Sequence, residues 1–266
     1  MTDRARAEHQ SHIHGFREEI GKLRGDDEAF FGWFNNQDSF AEAHFSGAWD
    51  FAWHVAAPLA RHLNRAVTAD GGMTALEIGY GGGRLLAHAA RFFPRVIGVD
   101  IHHQPDVVRR KLAEIGVHNA ELRQGDGRTL PCADAEVDVV YSFIVFQHLE
   151  KMEIQTGYLQ ETFRVLKPGG LAMIYTGRMR SSSRHRDSRL ALWWDLCLER
   201  FRLPGGYRQT SAPINSTNLR VSRAFMLAEA RRIGFTPLMT CVSRRRVPQD
   251  TVQYGGQHGF LLKKPV

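Results

Sequence analysis

The stretch from Glu77 to Gly83 reads Glu-Ile-Gly-Tyr-Gly-Gly-Gly and combines one carboxylate with four glycines. A short apolar run precedes it and a helix-forming segment follows, so the sequence predicts a strand, a tight turn and a helix. Glycines in such a turn let a ligand lie directly against the backbone. A carboxylate at the strand end would repel a pyrophosphate, whereas it suits a ligand with a cationic amine. The stretch therefore predicts a cofactor site.

The glycine spacing excludes a dinucleotide-binding turn. Such a turn needs the pattern G-x-G-x-x-G, in which the third glycine allows close packing of helix on strand. Counted from Gly79 and Gly81, the third position is Arg84, and counted from Gly81 and Gly83, it is Leu86. Neither register fits.

Strands and helices alternate around this turn in the pattern of a parallel, doubly wound sheet. Strands are predicted at 73–78, 95–100, 120–124, 136–142 and 171–175, with helices at 85–93, 104–115 and 151–166. Two more strands are predicted at 235–242 and 257–263, after helices at 190–201 and 222–233. The carboxyl ends of these strands must position the chemical groups.

The motif from Glu77 to Gly83 resembles the first motif of the class I S-adenosylmethionine-dependent methyltransferases. Later segments agree with that family in order and spacing, namely 99–100, 125–131, 138–142 and 163–170. The resemblance covers 73–176 and, in outline, the last two strands. It implies an α/β fold with a Rossmann-like, doubly wound, seven-stranded sheet, an antiparallel last strand pair and flanking helices. It also implies S-adenosyl-L-methionine as cofactor and S-adenosyl-L-homocysteine as product.

The resemblance assigns roles to the motif residues. Glu77 orients the loop or binds the cofactor's amino group, Asp100 accepts hydrogen bonds from the ribose hydroxyls, and Asp126 accepts one from the adenine amino group. Phe143 either packs on the methionine part or fills the core. The predicted cofactor-binding residues are Glu77, Gly79, Tyr80, Gly81, Asp100, Ile101, Asp126, Gly127, Ser142 and Phe143.

Methyl transfer needs alignment of nucleophile, methyl group and sulfur, and a hydroxyl nucleophile also benefits from a general base. In some small-molecule O-methyltransferases a His-His pair follows the fourth strand and one histidine is the base. Here the pair is replaced by Gln147 and His148. His148 is therefore the candidate base, and the alternative is a histidine that makes a structural hydrogen bond. A metal-dependent enzyme of the catechol type needs acidic ligands around the fourth and fifth strands. Asp138 lies at the start of the fourth strand and no acidic residue comes directly after Tyr175, so we expect no metal ion.

The segment after the fourth strand reads Ser-Phe-Ile-Val and lacks the Asn/Asp-Pro-Pro-aromatic motif of nucleic-acid amino methyltransferases. We therefore expect a small-molecule substrate. Arginine recognises carboxylates and phosphates through its planar fork, and the loop at 178–189 contains Arg180, Arg184 and Arg186. These residues predict a polar or anionic substrate, such as a sugar, a phosphorylated sugar or a natural-product acid. The alternative is a solvated loop.

The 266 residues carry a net charge of +7, with a pI of about 9.6. Such a surface leaves open an RNA or protein methyltransferase. A non-catalytic S-adenosylmethionine-binding protein is the third hypothesis. The sequence gives no information on oligomeric state.

The chain is predicted to comprise a polar N-terminal tail at 1–25, an aromatic-rich helical cap at 26–70 and a methyltransferase domain at 71–266, with a substrate-lid insertion at 178–220. The cap aromatics either bury the cap or wall a pocket. No apolar run approaches the roughly 18–20 residues of a membrane span, and we expect no membrane association. Because the three cysteines are isolated and no signal-peptide core is present, a cytoplasmic location is expected.

Overall fold

The computed structural model describes residues 12–35, 39–63, 72–179, 188–202, 206–210, 213–246 and 252–266. The helices before the sheet are α1 (His12–Gly21), α2 (Asp27–Phe34), α3 (Phe40–Phe51) and α4 (Ala57–Ala60), and a π-helical turn (Ala52–Ala56) joins α3 to α4. Ser39 begins α3 with a capping box, in which its hydroxyl accepts from the Glu42 N–H while the Glu42 carboxylate accepts from the Ser39 N–H. α1 lies within the stretch predicted as a polar tail and buries Ile20.

The central strands are β1 (Thr74–Ile78), β2 (Arg95–Asp100), β3 (Ala120–Gln124), β4 (Val137–Ser142) and β5 (Leu166–Arg178). The helices between them are α5 (Leu86–Ala89), α6 (Pro105–Glu114) and α7 (Met152–Val165). These five strands are parallel and lie in the order β3-β2-β1-β4-β5. The carboxyl ends of β1, β2 and β4 therefore meet at one edge of the sheet.

The rest of the described chain forms α8 (Arg189–Arg202), β6 (Tyr207–Gln209), β7 (Leu219–Val221), α9 (Arg223–Ile233), β8 (Thr236–Arg246) and β9 (Val252–Lys263). β9 runs antiparallel between β5 and β8, which confirms the predicted antiparallel pair and the Rossmann-like architecture. The sheet has nine strands among the described residues rather than the seven predicted, because β6 and β7 extend it beyond β5. The β6–β7 hairpin belongs to the segment predicted as a lid, and its second strand pairs with the end of β5.

Two hydrophobic clusters cover the two faces of the sheet. One contains Phe30, Phe51 and Leu59 of the N-terminal helices together with β1 and β4 side chains such as Ala75 and Tyr141. The other joins residues of α7 and α9 to the opposite side chains of the same strands. The cap is thus part of the main core.

Several elements differ in length from the sequence prediction. β5 begins at Leu166 rather than at residue 171, because Leu166 pairs with Val137 ahead of a register irregularity in the ladder. β8 and β9 are longer than predicted because they continue to pair as far as Arg246 and Val252. Among the residues described, no helix is long and apolar enough to cross a membrane.

Candidate active site

A single cavity of about 1350 Å³ lies at the carboxyl ends of β1, β2 and β4. Pockets for one small ligand typically measure about 300–1,000 Å³, so this cavity has room for two molecules. Its wall includes the glycine turn, Asp100, Phe143 and His148, together with side chains of the N-terminal helices. The predicted cofactor turn and the predicted base therefore line the same cavity.

Asp100 fixes the shape of the glycine turn. One carboxylate oxygen accepts a 2.7 Å hydrogen bond from the Gly81 N–H, and the other accepts a 2.7 Å bond from the Ile101 N–H. Gly79 and Gly81 have φ values of +78° and +51°, in the left-handed region that favours glycine. A Cβ atom at Gly79 would lie 2.3 Å from a methyl group of Val145. These positions require glycine for both conformation and space.

Two residues that the sequence analysis missed hold this turn in place. His102 is fully buried, and its Nε2 donates to the Gly81 carbonyl at 3.2 Å while its Nδ1 accepts from the Gln104 N–H. From α1, Arg17 donates to the Ile101 carbonyl at 3.1 Å and to the Gly125 carbonyl at 2.9 Å. α1 is thereby fastened across the loops that follow β2 and β3.

Glu77 is buried beneath the turn, and Tyr141 donates a 2.9 Å hydrogen bond to its carboxyl group. Burial raises the pKa of Glu77 from 4.5 to about 8, against the smaller opposing effects of the Tyr141 hydrogen bond and the Arg84 charge. The side chain is therefore mostly protonated at neutral pH in the ligand-free protein. A cationic ligand amine beside it would favour the carboxylate.

The Glu77 pKa predicts a pH dependence of stability. The Glu77 carboxyl group binds its proton more tightly in the folded than in the unfolded state. The stabilisation that this provides is therefore fully present below about pH 4.5 and is lost as the pH rises through 8. We expect the free energy of unfolding contributed by Glu77 to fall by about 1.4 kcal/mol per pH unit between roughly pH 5 and 7.5. Urea unfolding measures this pH dependence when the ligand-free wild-type protein and Glu77→Gln are compared across this pH range. Equal slopes for the two proteins would contradict the buried, protonated Glu77.

Two buried polar atoms in the cavity wall have no hydrogen-bond partner among the described residues. They are the Tyr80 hydroxyl, on a side chain that is 3% exposed, and the Asn35 side-chain nitrogen. Buried polar atoms are normally paired. Both residues line the cavity while these two atoms are buried behind its surface, and Tyr80 was predicted as a cofactor-binding residue from the glycine turn.

Two of the predicted cofactor-binding residues, Asp126 and Ser142, have side chains that bond to nearby backbone and do not line the cavity. The Asp126 carboxylate caps its own loop by accepting from the N–H groups of Arg128 and Thr129, at 2.8 and 2.7 Å. The Ser142 hydroxyl is buried and donates to the Ile78 carbonyl at 2.9 Å. Neither side chain forms part of the cavity wall, whereas Gly127 and Ile101 do.

Phe143 lines the cavity and stacks on the buried His54, with ring centroids 4.2 Å apart. His54 lies in the π-helical turn, and such turns are frequent at functional sites. Phe30, Phe31 and Phe51 are buried in the core. Other cap aromatics line the cavity, namely Trp33, Phe34, Phe45, Trp49 and Trp53.

His148 lies in a 3₁₀ turn after β4, within the cavity wall. Its Nδ1 is 2.8 Å from the Ser216 carbonyl, which only accepts, so Nδ1 carries the proton. Nε2 therefore has the lone pair, and the Gln147 side-chain nitrogen lies 3.2 Å from it. This tautomer leaves the basic nitrogen that a general base requires.

Arg180, Arg184 and Arg186 lie outside the described residues. Within the described cavity wall, Arg84 forms a 2.6 Å ion pair with Asp50 of α3. No group of three or more His, Cys, Asp or Glu side chains among the described residues could hold a metal ion.

Residues 76–174 match the family model of a methyltransferase domain. The match covers β1 to β5 and indicates a methyltransferase domain in that part of the chain. A relative from Mycolicibacterium smegmatis, named as a probable S-adenosylmethionine-dependent methyltransferase, is 37% identical over 123 residues, which are 45% of this chain and 44% of that protein. A ubiquinone biosynthesis O-methyltransferase from Brucella anthropi is 28% identical over 148 residues, which are 54% of this chain and 58% of that one. The chain thus spans about half the length of these curated relatives.

Solved structures of methyltransferases share the fold. An S-adenosylmethionine-dependent methyltransferase from Methanosarcina mazei superposes with a TM-score of 0.54 at 15% identity, over 79% of this chain and 97% of that one. The 1,6-didemethyltoxoflavin-N1-methyltransferase of Burkholderia thailandensis, solved with its substrate and S-adenosylhomocysteine, gives 0.53 at 18% identity, over 85% and 86%. S-adenosyl-L-methionine is the cofactor of the methyltransferase family, and the residues around the glycine turn fit it. A carboxyl group and a carboxylate line that part of the wall, and the two unpaired polar atoms are buried behind its surface.

Proposed function

We propose that this methyltransferase transfers a methyl group from S-adenosyl-L-methionine to a hydroxyl group of a small polar or anionic molecule. The observation that carries the proposal is the single cavity of about 1350 Å³, whose wall includes both the glycine turn and His148. A cavity of this size accommodates a cofactor and a small acceptor. A small acceptor fits beside the cofactor in this partly open cavity, and the segment after β4 lacks the motif of nucleic-acid amino methyltransferases.

In this proposal the glycine turn, Glu77, Tyr80, Asp100, Ile101 and Gly127 bind the cofactor. S-adenosyl-L-methionine supplies a methyl group on a positively charged sulfur. Glu77 faces the cationic amino group, and the Asp100 lone pairs not used by Gly81 and Ile101 accept from the ribose hydroxyls. The backbone N–H of Gly127 contacts the adenine in place of the Asp126 side chain, because that carboxylate is occupied by its own loop and both backbone groups of Ile101 are already hydrogen-bonded.

His148 acts as general base in the same proposal. The Ser216 carbonyl fixes the tautomer, so Nε2 receives the proton of the acceptor hydroxyl as the oxygen attacks the methyl carbon. The acceptor hydroxyl takes the place of the Gln147 side-chain nitrogen beside Nε2. Phe143, held by its stack on His54, forms an apolar wall next to the reacting groups.

The proposal is tested by incubating the protein with methyl-labelled S-adenosyl-L-methionine and a panel of phenolic acids, hydroxy acids, sugars and sugar phosphates. We expect label to pass to at least one acceptor, with one S-adenosyl-L-homocysteine formed per methyl group. Transfer to total RNA or to protein instead would overturn the small-molecule assignment. Cofactor binding with no transfer to any of these classes would support a non-catalytic binding protein.

A further inference from the structure

The wall of the cavity includes a second group of residues, contributed by α3, by the π-helical turn and by the β8–β9 ladder. Trp49, Trp53, Ser243, Arg244 and Gln257 line this part. None of them belongs to the methyltransferase motifs, and all lie outside the region that matches the family model. Their arrangement indicates the class of acceptor, and the inference rests on the function proposed above.

Arg244 is held in a defined position over Trp53. Its guanidinium carbon lies 4.2 Å from the centroid of the Trp53 ring. Its backbone N–H donates at 3.2 Å to Nε2 of His54, whose Nδ1 is bonded to the Asp50 carbonyl at 3.0 Å. β8 is thereby tied to the π-helical turn, so that the Arg244 side chain and the Trp53 ring lie together.

The Arg244 guanidinium makes no hydrogen bond or ion pair with any described residue. The nearby carboxylate of Asp50 is already engaged by Arg84 at 2.6 Å. A guanidinium in a cavity wall, with its carbon 4.2 Å from the centroid of an indole ring and its N–H donors unused by the described residues, is suited to a planar carboxylate bound through two hydrogen bonds.

The remaining surroundings favour an aromatic ring over a polyol as the carrier of that carboxylate. Phe45 and Trp49 are 67% and 41% exposed and line the cavity, so they present apolar area to a ligand. The acceptor oxygens of the polar neighbours are already used. Ser243 Oγ accepts from the Gln257 N–H, and Gln257 Oε1 accepts from the Ile144 N–H. A polyol would therefore find few free acceptor oxygens on Ser243 and Gln257.

We propose that Arg244 and Trp53 form the acceptor-binding site, and that the acceptor is a hydroxylated aromatic carboxylic acid. The carboxylate binds the Arg244 guanidinium, the ring packs among the aromatic side chains, and the hydroxyl is presented to His148. In this proposal Arg244 binds the negatively charged group of the acceptor, and the arginines of the 178–189 loop are not needed for it.

Calorimetric titration of the protein saturated with S-adenosyl-L-homocysteine tests the inference. The probes are 6-hydroxy-2-naphthoate, its neutral amide and the saturated decahydro-2-naphthoate. We expect the aromatic acid to bind about tenfold or more tightly than the amide, the discrimination that a hydrogen-bonded charge provides, and more tightly than the saturated acid. Arg244→Gln should remove the preference for acid over amide and lower the affinity for the acid far more than that for the amide, because only the acid loses a charged partner. Arg244→Lys keeps the charge but loses the planar fork, so it should retain only part of the preference for the acid over the amide.

Arg208→Gln is the matched control, because Arg208 is exposed on β6 and does not line the cavity. The same acid-to-amide ratio in Arg244→Gln and in wild type would overturn the inference, as would equal binding of the aromatic and saturated acids. Binding of glucose 6-phosphate that depends on Arg244, without binding of the naphthoate, would also overturn it. Affinity for S-adenosyl-L-homocysteine is measured first. Its absence would contradict the proposed cofactor function, whereas its presence without naphthoate binding contradicts only this inference.

Discussion

Replacing Asp100 by alanine is expected to weaken binding of S-adenosyl-L-homocysteine by roughly 100-fold or more, because hydrogen bonds to a charged group are worth about 1.5–3 kcal/mol each. The substitution removes the acceptor of the Gly81 N–H and that of the Ile101 N–H, both at 2.7 Å. It also removes the lone pairs that we assign to the ribose hydroxyls. The substitution therefore removes both the support of the glycine turn and the contact with the ribose. Isothermal titration calorimetry measures the effect.

Asp134→Ala is the control for Asp100, since Asp134 is an exposed carboxylate outside the cavity wall. Asp100→Asn should give an intermediate loss, because the amide retains one acceptor oxygen but loses the charge. Circular dichroism establishes that each variant is folded. An Asp100→Ala protein that binds the ligand within threefold of wild type would refute the assignment of this carboxylate.

Replacing His148 by glutamine is expected to lower kcat by roughly 100- to 10,000-fold, the usual contribution of a general base. The side chain lies in the cavity wall, and its Nδ1–H is fixed on the Ser216 carbonyl, so only Nε2 remains to accept a proton. The affinity for S-adenosyl-L-homocysteine should stay within a few-fold of wild type. Initial rates with an acceptor from the transfer screen, together with a cofactor titration, separate the two effects.

Gln147→Ala is the matched comparison for His148. It removes the side-chain nitrogen 3.2 Å from Nε2 without touching the imidazole, so kcat should remain within a few-fold of wild type. A His148→Gln or His148→Ala protein with nearly normal kcat would eliminate the general-base role. The histidine would then serve as a structural link to the Ser216 carbonyl, and the cofactor assignments would be unaffected.

The sheet could be predicted from the sequence because each parallel strand is a local apolar run that ends in a polar or glycine-rich turn. The strand at Arg95–Asp100 agrees with the prediction at both ends. β5 was predicted too short, since its first residues pair with Val137 across an irregularity that local sequence does not encode. Asp100 was predicted to lie at the end of the second strand, and in the structure its carboxylate contacts the glycine turn from that position.

The side-chain orientations at Asp126 and Ser142 could not be predicted. Both residues stand where the methyltransferase motifs suggest, yet each bonds to nearby backbone, and only the local geometry decides between backbone and ligand. The carboxylate of an Asp-Gly turn readily accepts from the N–H groups that follow it.

The contacts that complete the site from outside the motifs lay beyond sequence reasoning, because they join residues far apart in the chain. Arg17 is 84 and 108 positions from the carbonyls that it binds, and Arg244 is 190 positions from His54. No periodicity or motif connects such residues. The aromatic richness of the cap was the one available signal, and it corresponds to the aromatic wall of the cavity.

The glycine turn and Asp100 are the proposed binding site for S-adenosyl-L-methionine. The decisive experiment is a titration of the purified protein with S-adenosyl-L-homocysteine, with NAD as the comparison ligand. We expect saturable binding of one S-adenosyl-L-homocysteine per chain and no binding of NAD, because the turn lacks the third glycine and carries Glu77. Absence of S-adenosyl-L-homocysteine binding at millimolar concentration, or equal affinity for NAD, would contradict this assignment.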